Sequence, residues 1–196
     1  MHSIGKQVEE LFRKVCVDNS MKDYEQLFLL LSRRLIHFSA SINGSFHLAE
    51  EIVSDVFISL WKKREQLRGV KNPMVYIYVC TKNFSLNALK MTKQPVFSYD
   101  TLHADALSIL PDVEDRIVST QVAQKIETAI RSLPTRSQLI FRLVKMDGFR
   151  YKEVAELMNI SPKTVDAQLT IAVKKITETI RLDLSDDIIF AYLHRQ

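Results

Sequence analysis

Glycine, proline and cysteine are scarce in this chain of 196 residues, which contains four, five and two of them respectively. Long stretches without a backbone breaker favour helices, so the sequence predicts an all-α fold. Cys16 and Cys80 lie far apart in helix-like segments, which favours free thiols in a reducing compartment. The longest apolar runs, 27–31 and 188–193, are too short to span a bilayer, and the first residues lack the apolar core of a signal peptide. We therefore expect a cytoplasmic protein.

The residue patterns that usually carry catalysis are also missing from the sequence. The five histidines are scattered, and none has a cysteine or carboxylate at the spacing of a metal site. Four glycines cannot build a loop that cradles a phosphate. We therefore expect no enzyme activity, no cofactor, no metal and no small-molecule substrate.

Charge and proline placement divide the chain into blocks. Residues 1–93 carry a net charge of +5, residues 94–113 carry −3, and residues 114–183 carry +3. The acidic segment has a proline near each end and no sustained apolar period, which is typical of a flexible linker. The sequence thus predicts two small helical domains, 1–93 and 114–183, followed by a tail, 184–196, to which we assign no role. Basic blocks of this kind are compatible with a polyanionic partner.

The first block reads as a series of amphipathic helices. One is predicted from residue 23 to residue 40 and a second from 45 to 64, where two adjacent rows of apolar residues form one broad face. In a third helix, ending near Lys90, Asn72 is the expected cap and Pro73 the first helical residue. The apolar rows of the second helix are Leu48, Ile52, Val56 and Leu60, and Ala49, Val53, Phe57 and Trp61.

The second block is predicted to begin with one helix from about residue 113 to 132 and another from Pro134 to Gly148. Its most informative stretch is 151–176. Its first part predicts a short helix with Tyr151, Val154, Ala155 and Met158 on the inner face. A break at 159–161 follows, after which Ser161 can cap a second helix that begins at Pro162. Helix, three-residue turn and helix form the helix-turn-helix pattern, whose second helix lies in the major groove of DNA. The buried stripe of that second helix is predicted to be Val165, Leu169, Ala172, Val173 and Ile176.

Three segments resemble sigma factors of the extracytoplasmic-function (ECF) group, in particular those of Bacteroidetes-type bacteria. The run SLPTRSQLIFRLVKMDGFRYKEVAELMNISPKTVDAQLTIAVKKI is similar to the domain that binds the −35 promoter element. AEEIVSDVFISLWKKREQLRG is similar to the polymerase-binding helix of the same group, and PMVYIYVCTKN is similar to the helix that follows it. The resemblance implies a sigma factor that directs RNA polymerase to specific promoters for transcription initiation.

The resemblance also implies roles for individual residues. Core RNA polymerase and promoter DNA are the implied partners, together with a membrane-bound anti-sigma factor. The residues implied to bind polymerase are Glu51, Ser54, Asp55, Phe57 and Trp61. Those implied to bind the −10 element are Arg68, Lys71, Asn72, Tyr76, Lys82 and Asn83. Those implied to bind the −35 element are Ser161, Lys163, Thr164, Asp166, Ala167, Gln168 and Thr170.

Several positions depart from the family pattern. The family usually has a basic residue at the place of Val79, Ile-Ala at the place of Cys80 and Thr81, and basic residues at the places of Asp166 and Gln168. The promoter code therefore cannot be copied from other members. Two alternatives stay open: a stand-alone helix-turn-helix transcriptional regulator of the quorum-sensing or response-regulator type, and a polymerase-binding module that does not read promoters.

Overall fold

The computed structural model describes residues 4–91, 125–126 and 128–180, all of whose regular elements are helical. The chain divides into two compact units, Met1–Ala106 and Leu107–Gln196. The predicted all-α fold is confirmed. The expected linker 94–113 and tail 184–196 lie outside the described residues, as does most of the helix expected between residues 113 and 132.

The described part of unit one, residues 4–91, contains four α-helices. They are α1 (Ile4–Asp18), α2 (Met21–Asn43), α3 (Phe46–Lys63) and α4 (Pro73–Met91), with a 3₁₀ turn at Arg64–Leu67 after α3. The helices α2, α3 and α4 correspond to the three that the sequence predicts. The helix α1 was not predicted, although its buried residues Val8, Leu11, Phe12 and Val15 follow helical spacing.

Local capping explains where these helices begin. The Ser20 hydroxyl accepts a hydrogen bond from the backbone N–H of Asp23 at the start of α2. The Ser45 hydroxyl does the same for Leu48 in α3, and the Asn72 side-chain oxygen accepts from Val75 in α4. These contacts satisfy N–H groups that would otherwise lack a partner in the first turn. At the other end of α2, Gly44 adopts φ = +76°, a left-handed conformation that suits glycine.

The core of unit one lies where α2 packs against the other three helices. Leu27, Leu31 and Leu35 of α2 are fully buried, and so is Tyr78 of α4. The apolar face predicted for α3 points into this core, with only Leu48 and Trp61 remaining half-buried at its ends.

Unit two has α5 (Thr135–Phe141), a π-helical turn (Arg142–Met146), α6 (Tyr151–Met158) and α7 (Pro162–Ile180). The sequence predicts one uninterrupted helix from Pro134 to Gly148, whereas the structure changes from α to π winding after Phe141. There the Asp147 N–H reaches back five residues to the Arg142 carbonyl.

Tyr151 corrects one prediction for unit two. It was expected on the inner face of α6, but it is 38% exposed. Tyr151 is the first residue of a helix of only eight, so its side chain lies at the edge of the packed face. Phe149 and Leu157 fill the interior with Val154, Ala155 and Met158.

Candidate nucleic-acid interface

Two local features, a left-handed residue and a helix cap, form the helix-turn-helix of unit two. Asn159 ends α6 in the left-handed conformation, with φ = +53° and ψ = +49°. Asparagine tolerates that region better than most residues because its short polar side chain can bond locally. The Ser161 hydroxyl then accepts a 3.0 Å hydrogen bond from the Thr164 N–H and caps α7. The turn and the cap therefore form where the sequence places them.

The outward face of α7 carries the residues that were expected to meet the −35 element. Val165, Leu169, Ala172 and Ile176 are buried, and Val173 is half-buried, which fixes the orientation of the helix. Thr164 and Gln168 are half-buried at the border of this packed stripe. The exposed members of the expected set are Ser161, Lys163, Asp166, Ala167 and Thr170.

One residue outside the helix-turn-helix contacts this face. Ser137 of α5 is buried, and its hydroxyl donates a 2.6 Å hydrogen bond to the side-chain oxygen of Gln168. The two residues are 31 positions apart in sequence. Sequence reasoning missed this contact, because it depends on how α5 packs against α7 and not on any local pattern.

The residues expected to bind the −10 element lie just before α4 and within its first eleven residues. Lys71 and Asn83 are exposed, Lys82 is half-buried, and the Asn72 side chain caps the helix. Arg68 is exposed, yet its Nε donates a 3.1 Å hydrogen bond to the carbonyl of Cys16 in α1.

Tyr76, also expected at the −10 site, packs against α1. Its ring meets the ring of Phe12 edge-on, with 6.4 Å between centroids. Burial, and then a hydrogen bond with the Cys80 side chain, raise the pKa of Tyr76 to about 12. Together with the Arg68 contact, this packing makes α1 a neighbour of the candidate −10 site.

Arg64 attaches the end of α1 to the end of α3. Its Nε donates a 2.6 Å hydrogen bond to the Asn19 side-chain oxygen, and Nη1 donates a 2.8 Å bond to the Trp61 carbonyl. The guanidinium also lies 4.4 Å from the centroid of the Trp61 ring, a cation–π arrangement. Arg64 was not among the expected functional residues, because nothing local in the sequence distinguishes it.

The expected polymerase-binding residues divide into exposed and buried ones. Glu51, Ser54 and Asp55 are exposed on α3, and Ile58, which follows them on the same helix, is 48% exposed. We call these four residues the acidic face of α3. It presents two carboxylates and one apolar side chain to a partner.

Phe57 does not belong to that surface, which corrects the expectation that its side chain docks on polymerase. It is 1% exposed and packs edge-on against Tyr24 and Phe28 of α2. A side chain that is buried in the core can support a docking surface only by holding the helix in place. Trp61 is half-buried, with its ring 5.0 Å from that of Tyr24.

Two further findings concern residues 4–91, 125–126 and 128–180. No helix in this part of the chain is both long and apolar enough to cross a membrane. Nor does that part contain a group of three or more histidine, cysteine, aspartate or glutamate side chains that could hold a metal ion.

Comparison with known families assigns each unit to a class. A model of the family described as Sigma-70 region 2 matches residues 27–94, and one described as Sigma-70, region 4 matches residues 123–176. Together they match more than half of the chain, one in each unit. The chain therefore belongs to the sigma-70 family of transcription initiation factors.

Individual relatives narrow the assignment. The ECF RNA polymerase sigma-E factor of Escherichia coli (strain K12) is 24% identical over 172 residues, covering 82% of this chain and 90% of the relative. The ECF RNA polymerase sigma factor SigW of Bacillus subtilis (strain 168) is 23% identical over 138 residues, covering 64% and 72%. The protein is a sigma factor of the ECF group, which directs RNA polymerase to promoters. Its resemblance to the Bacteroidetes type stays a prediction.

Two solved structures share the fold. One is the sigma factor RpoE from Bartonella quintana in complex with the anti-sigma factor NepR, with a TM-score of 0.53, 18% identity and coverage of 84% of this chain and 100% of that one. The other is CnrH in complex with the cytosolic domain of CnrY, with a TM-score of 0.51, 13% identity and coverage of 90% and 99%. At these identities the likeness concerns the fold alone.

Proposed function

We propose that the two units divide promoter recognition between them. Unit one binds core RNA polymerase through the acidic face of α3, and it binds the −10 element through residues just before and within α4. Unit two binds the −35 element through α7. The observation that carries the proposal is the exposed polar face of α7, oriented by a buried stripe and placed in a unit that matches sigma region 4.

The chemistry of each surface supports its role. Carboxylates on α3 suit a partner with basic side chains, although single surface ion pairs contribute only about 0–1 kcal/mol each. Arg68, Lys71 and Lys82 supply positive charge near a −10 base that would have to leave the base stack. Lys163 lies in the first turn of α7, where the positive end of the helix dipole also favours phosphate.

Binding energy, not catalysis, is the contribution that we assign to the chain. It acts in the cytoplasm, where the DNA and the polymerase are, and opens DNA strands only together with polymerase. Without polymerase, its net charge of +4 implies weak and strongly salt-dependent DNA binding, with nonspecific dissociation constants on the order of 10⁻⁴–10⁻⁶ M.

We extend the proposal to an anti-sigma factor as a partner. One of the structural neighbours, RpoE with NepR, is a complex of that kind, and the acidic face of α3 leaves Ile58 open to contact. The test is co-purification, from the natural host, of a protein that competes with core polymerase. If Glu51→Arg with Asp55→Arg does not weaken the binding of such a protein, it binds elsewhere.

The experiment for the main proposal is a pull-down of core polymerase with the full chain, followed by run-off transcription. Templates should carry both promoter elements, only one of them, or neither. We expect the chain to bind polymerase and to require both elements for full transcription. Nanomolar, sequence-specific DNA binding without polymerase would instead indicate a stand-alone regulator. Polymerase binding without promoter-dependent transcription would indicate an interaction module.

A further inference from the structure

We propose that Ser137, which lies outside the recognition helix, sets the base preference of Gln168 by holding its amide oxygen. Gln168 then presents mainly N–H donors to the DNA. The inference rests on the proposed reading of the −35 element by unit two, and it adds a specificity-determining residue that does not itself touch a base.

The geometry identifies which end of the Gln168 amide faces Ser137. The two side-chain atoms are 2.6 Å apart, with Ser137 Oγ donating to Gln168 Oε1. A separation of 2.6 Å is ordinary for an O–H···O hydrogen bond but short for an N–H···O bond. The amide oxygen is therefore the atom turned towards α5.

Other hydroxyls in the described helices show that this contact is not the default. Thr81, Ser85 and Thr170 each donate to the backbone carbonyl four residues earlier in their own helix. Ser137 instead donates its single hydroxyl proton in a hydrogen bond to Gln168 of α7. Because Ser137 is 2% exposed, water has little access to replace Gln168 as the acceptor.

The held amide changes what Gln168 can recognise. A glutamine reads adenine bidentately by accepting from the N6 amino group and donating to N7. With its oxygen engaged inside unit two, Gln168 offers mainly the two N–H donors of Nε2. These match the acceptors of guanine (N7 and O6), adenine (N7) and thymine (O4), and they cannot pair with the amino group of cytosine. Held in this way, Gln168 favours any base with an acceptor on its major-groove edge and no longer selects adenine alone.

The contact with Ser137 changes the base preference expected of Gln168. Treated as a free side chain, it would select adenine through two hydrogen bonds. Held by Ser137, it loses most of that selectivity, and removing the Ser137 hydroxyl should restore it.

The experiment uses the full chain with core polymerase and a promoter library with randomised −35 positions. Gln168→Ala is measured first and identifies the position whose base preference depends on Gln168. Ser137→Ala should then raise the use of adenine at that position roughly tenfold relative to guanine and thymine. Ser132→Ala is the matched control, because its hydroxyl donates to the Ala129 carbonyl and not to α7. It should leave the preference unchanged.

The double variant Ser137→Ala with Gln168→Ala separates positioning from a merely structural role. If Ser137 acts through Gln168, the double variant shows the same base preference as Gln168→Ala alone. Ser137→Cys keeps a similar side-chain volume but has a weaker hydrogen-bond donor, so it should shift the base preference in the same direction as Ser137→Ala. It serves as the second variant if Ser137→Ala unfolds.

Two results would overturn the inference, and they are distinguishable. If Gln168→Ala alters no −35 preference, α7 does not read bases through this residue, and the proposed reading of the −35 element is in question as well. If Gln168→Ala alters the preference but neither Ser137 variant does, the −35 assignment stands and Ser137 has no part in it.

Discussion

Ser39 of α2 and Ser85 of α4 are joined by a 2.8 Å hydrogen bond between two fully buried hydroxyl groups. Ser85 donates its own proton to the Thr81 carbonyl, so Ser39 is the donor between the two serines. Ser39 in turn accepts a 3.2 Å hydrogen bond from the Asn43 side-chain amide. A polar connection thus runs through the apolar core from the end of α2 to α4, the helix that carries three of the six candidate −10 residues.

This connection predicts coupled losses of stability. Ser39→Ala and Ser85→Ala should each lower the free energy of unfolding of unit one by about 1–3 kcal/mol, because each leaves a buried partner unsatisfied. The double variant should cost less than the sum, with a coupling of about 0.5–3 kcal/mol. Urea unfolding followed by the fluorescence of Trp61 reports on unit one, since Trp61 is the only tryptophan.

The control for that measurement is Ser54→Ala. The Ser54 hydroxyl is exposed and bonds only the Glu50 carbonyl in its own helix, so its loss should stay within about 0.5 kcal/mol. Strictly additive single and double variants would show that the two hydroxyls do not depend on each other.

The acidic face of α3 predicts a charge-dependent interaction with polymerase. Glu51→Arg with Asp55→Arg should weaken binding to core polymerase by about tenfold, because attraction to basic side chains becomes repulsion. Helical circular dichroism should not change, since both residues are exposed. The measurement is the dissociation constant from titration with labelled sigma factor.

The matched control reverses two exposed carboxylates elsewhere in unit one. Glu9→Arg with Asp18→Arg makes the same change in net charge on α1. If both double variants weaken binding to the same extent, net charge and not the acidic face of α3 determines the affinity. If neither weakens binding, the acidic face of α3 does not contribute.

Local features of this fold could be predicted from the sequence. Asn72 and Ser161 cap helices where the sequence places them, because a cap depends on residues within one turn. The inner faces of α3 and α7 follow from helical periodicity for the same reason. The candidate recognition face on α7 is therefore available from the sequence alone.

Contacts between helices could not be predicted in this way. The bond from Arg64 to Asn19 spans 45 residues, and the bond from Ser137 to Gln168 spans 31. Periodicity shows which face of a helix is buried, but it does not show which residues of two helices lie opposite each other. Phe57 is a different case: helical periodicity places it on the apolar face of α3, where it is buried, whereas the family resemblance assigned its side chain to polymerase binding.

The raised pKa of Tyr76 predicts that unit one loses stability at alkaline pH. Its pKa in the folded protein is about 12, above the value near 10 of an exposed tyrosine. The folded state therefore favours the neutral phenol, so this contribution is fully present below about pH 10 and is lost as the pH rises towards 12. Burial also raises the pKa of the Cys16 and Cys80 thiols, which adds to the loss above pH 9.

The test compares the urea midpoint of the Trp61 transition between pH 9 and 12 under reducing conditions. Tyr76→Phe should reduce the dependence on pH without abolishing it, because the two thiols remain. Tyr151→Phe, in unit two, should behave like the unchanged protein. A Tyr76→Phe variant with the full alkaline loss would show that this phenol does not contribute.

The position of Lys163 predicts that its loss weakens transcription from all −35 variants about equally. It is exposed in the first turn of α7, where its charge and the positive end of the helix dipole both favour a phosphate. Lys163→Ala should weaken transcription from all −35 variants about equally and reduce the slope of log affinity against log salt by about 1, as expected for one lost phosphate contact. The control, Lys174→Ala, lies about 16 Å further along the same helix and pairs with Glu178 at 3.9 Å. An equal effect of Lys174→Ala would point to general charge, and a changed base preference in Lys163→Ala would mean that Lys163 reads bases.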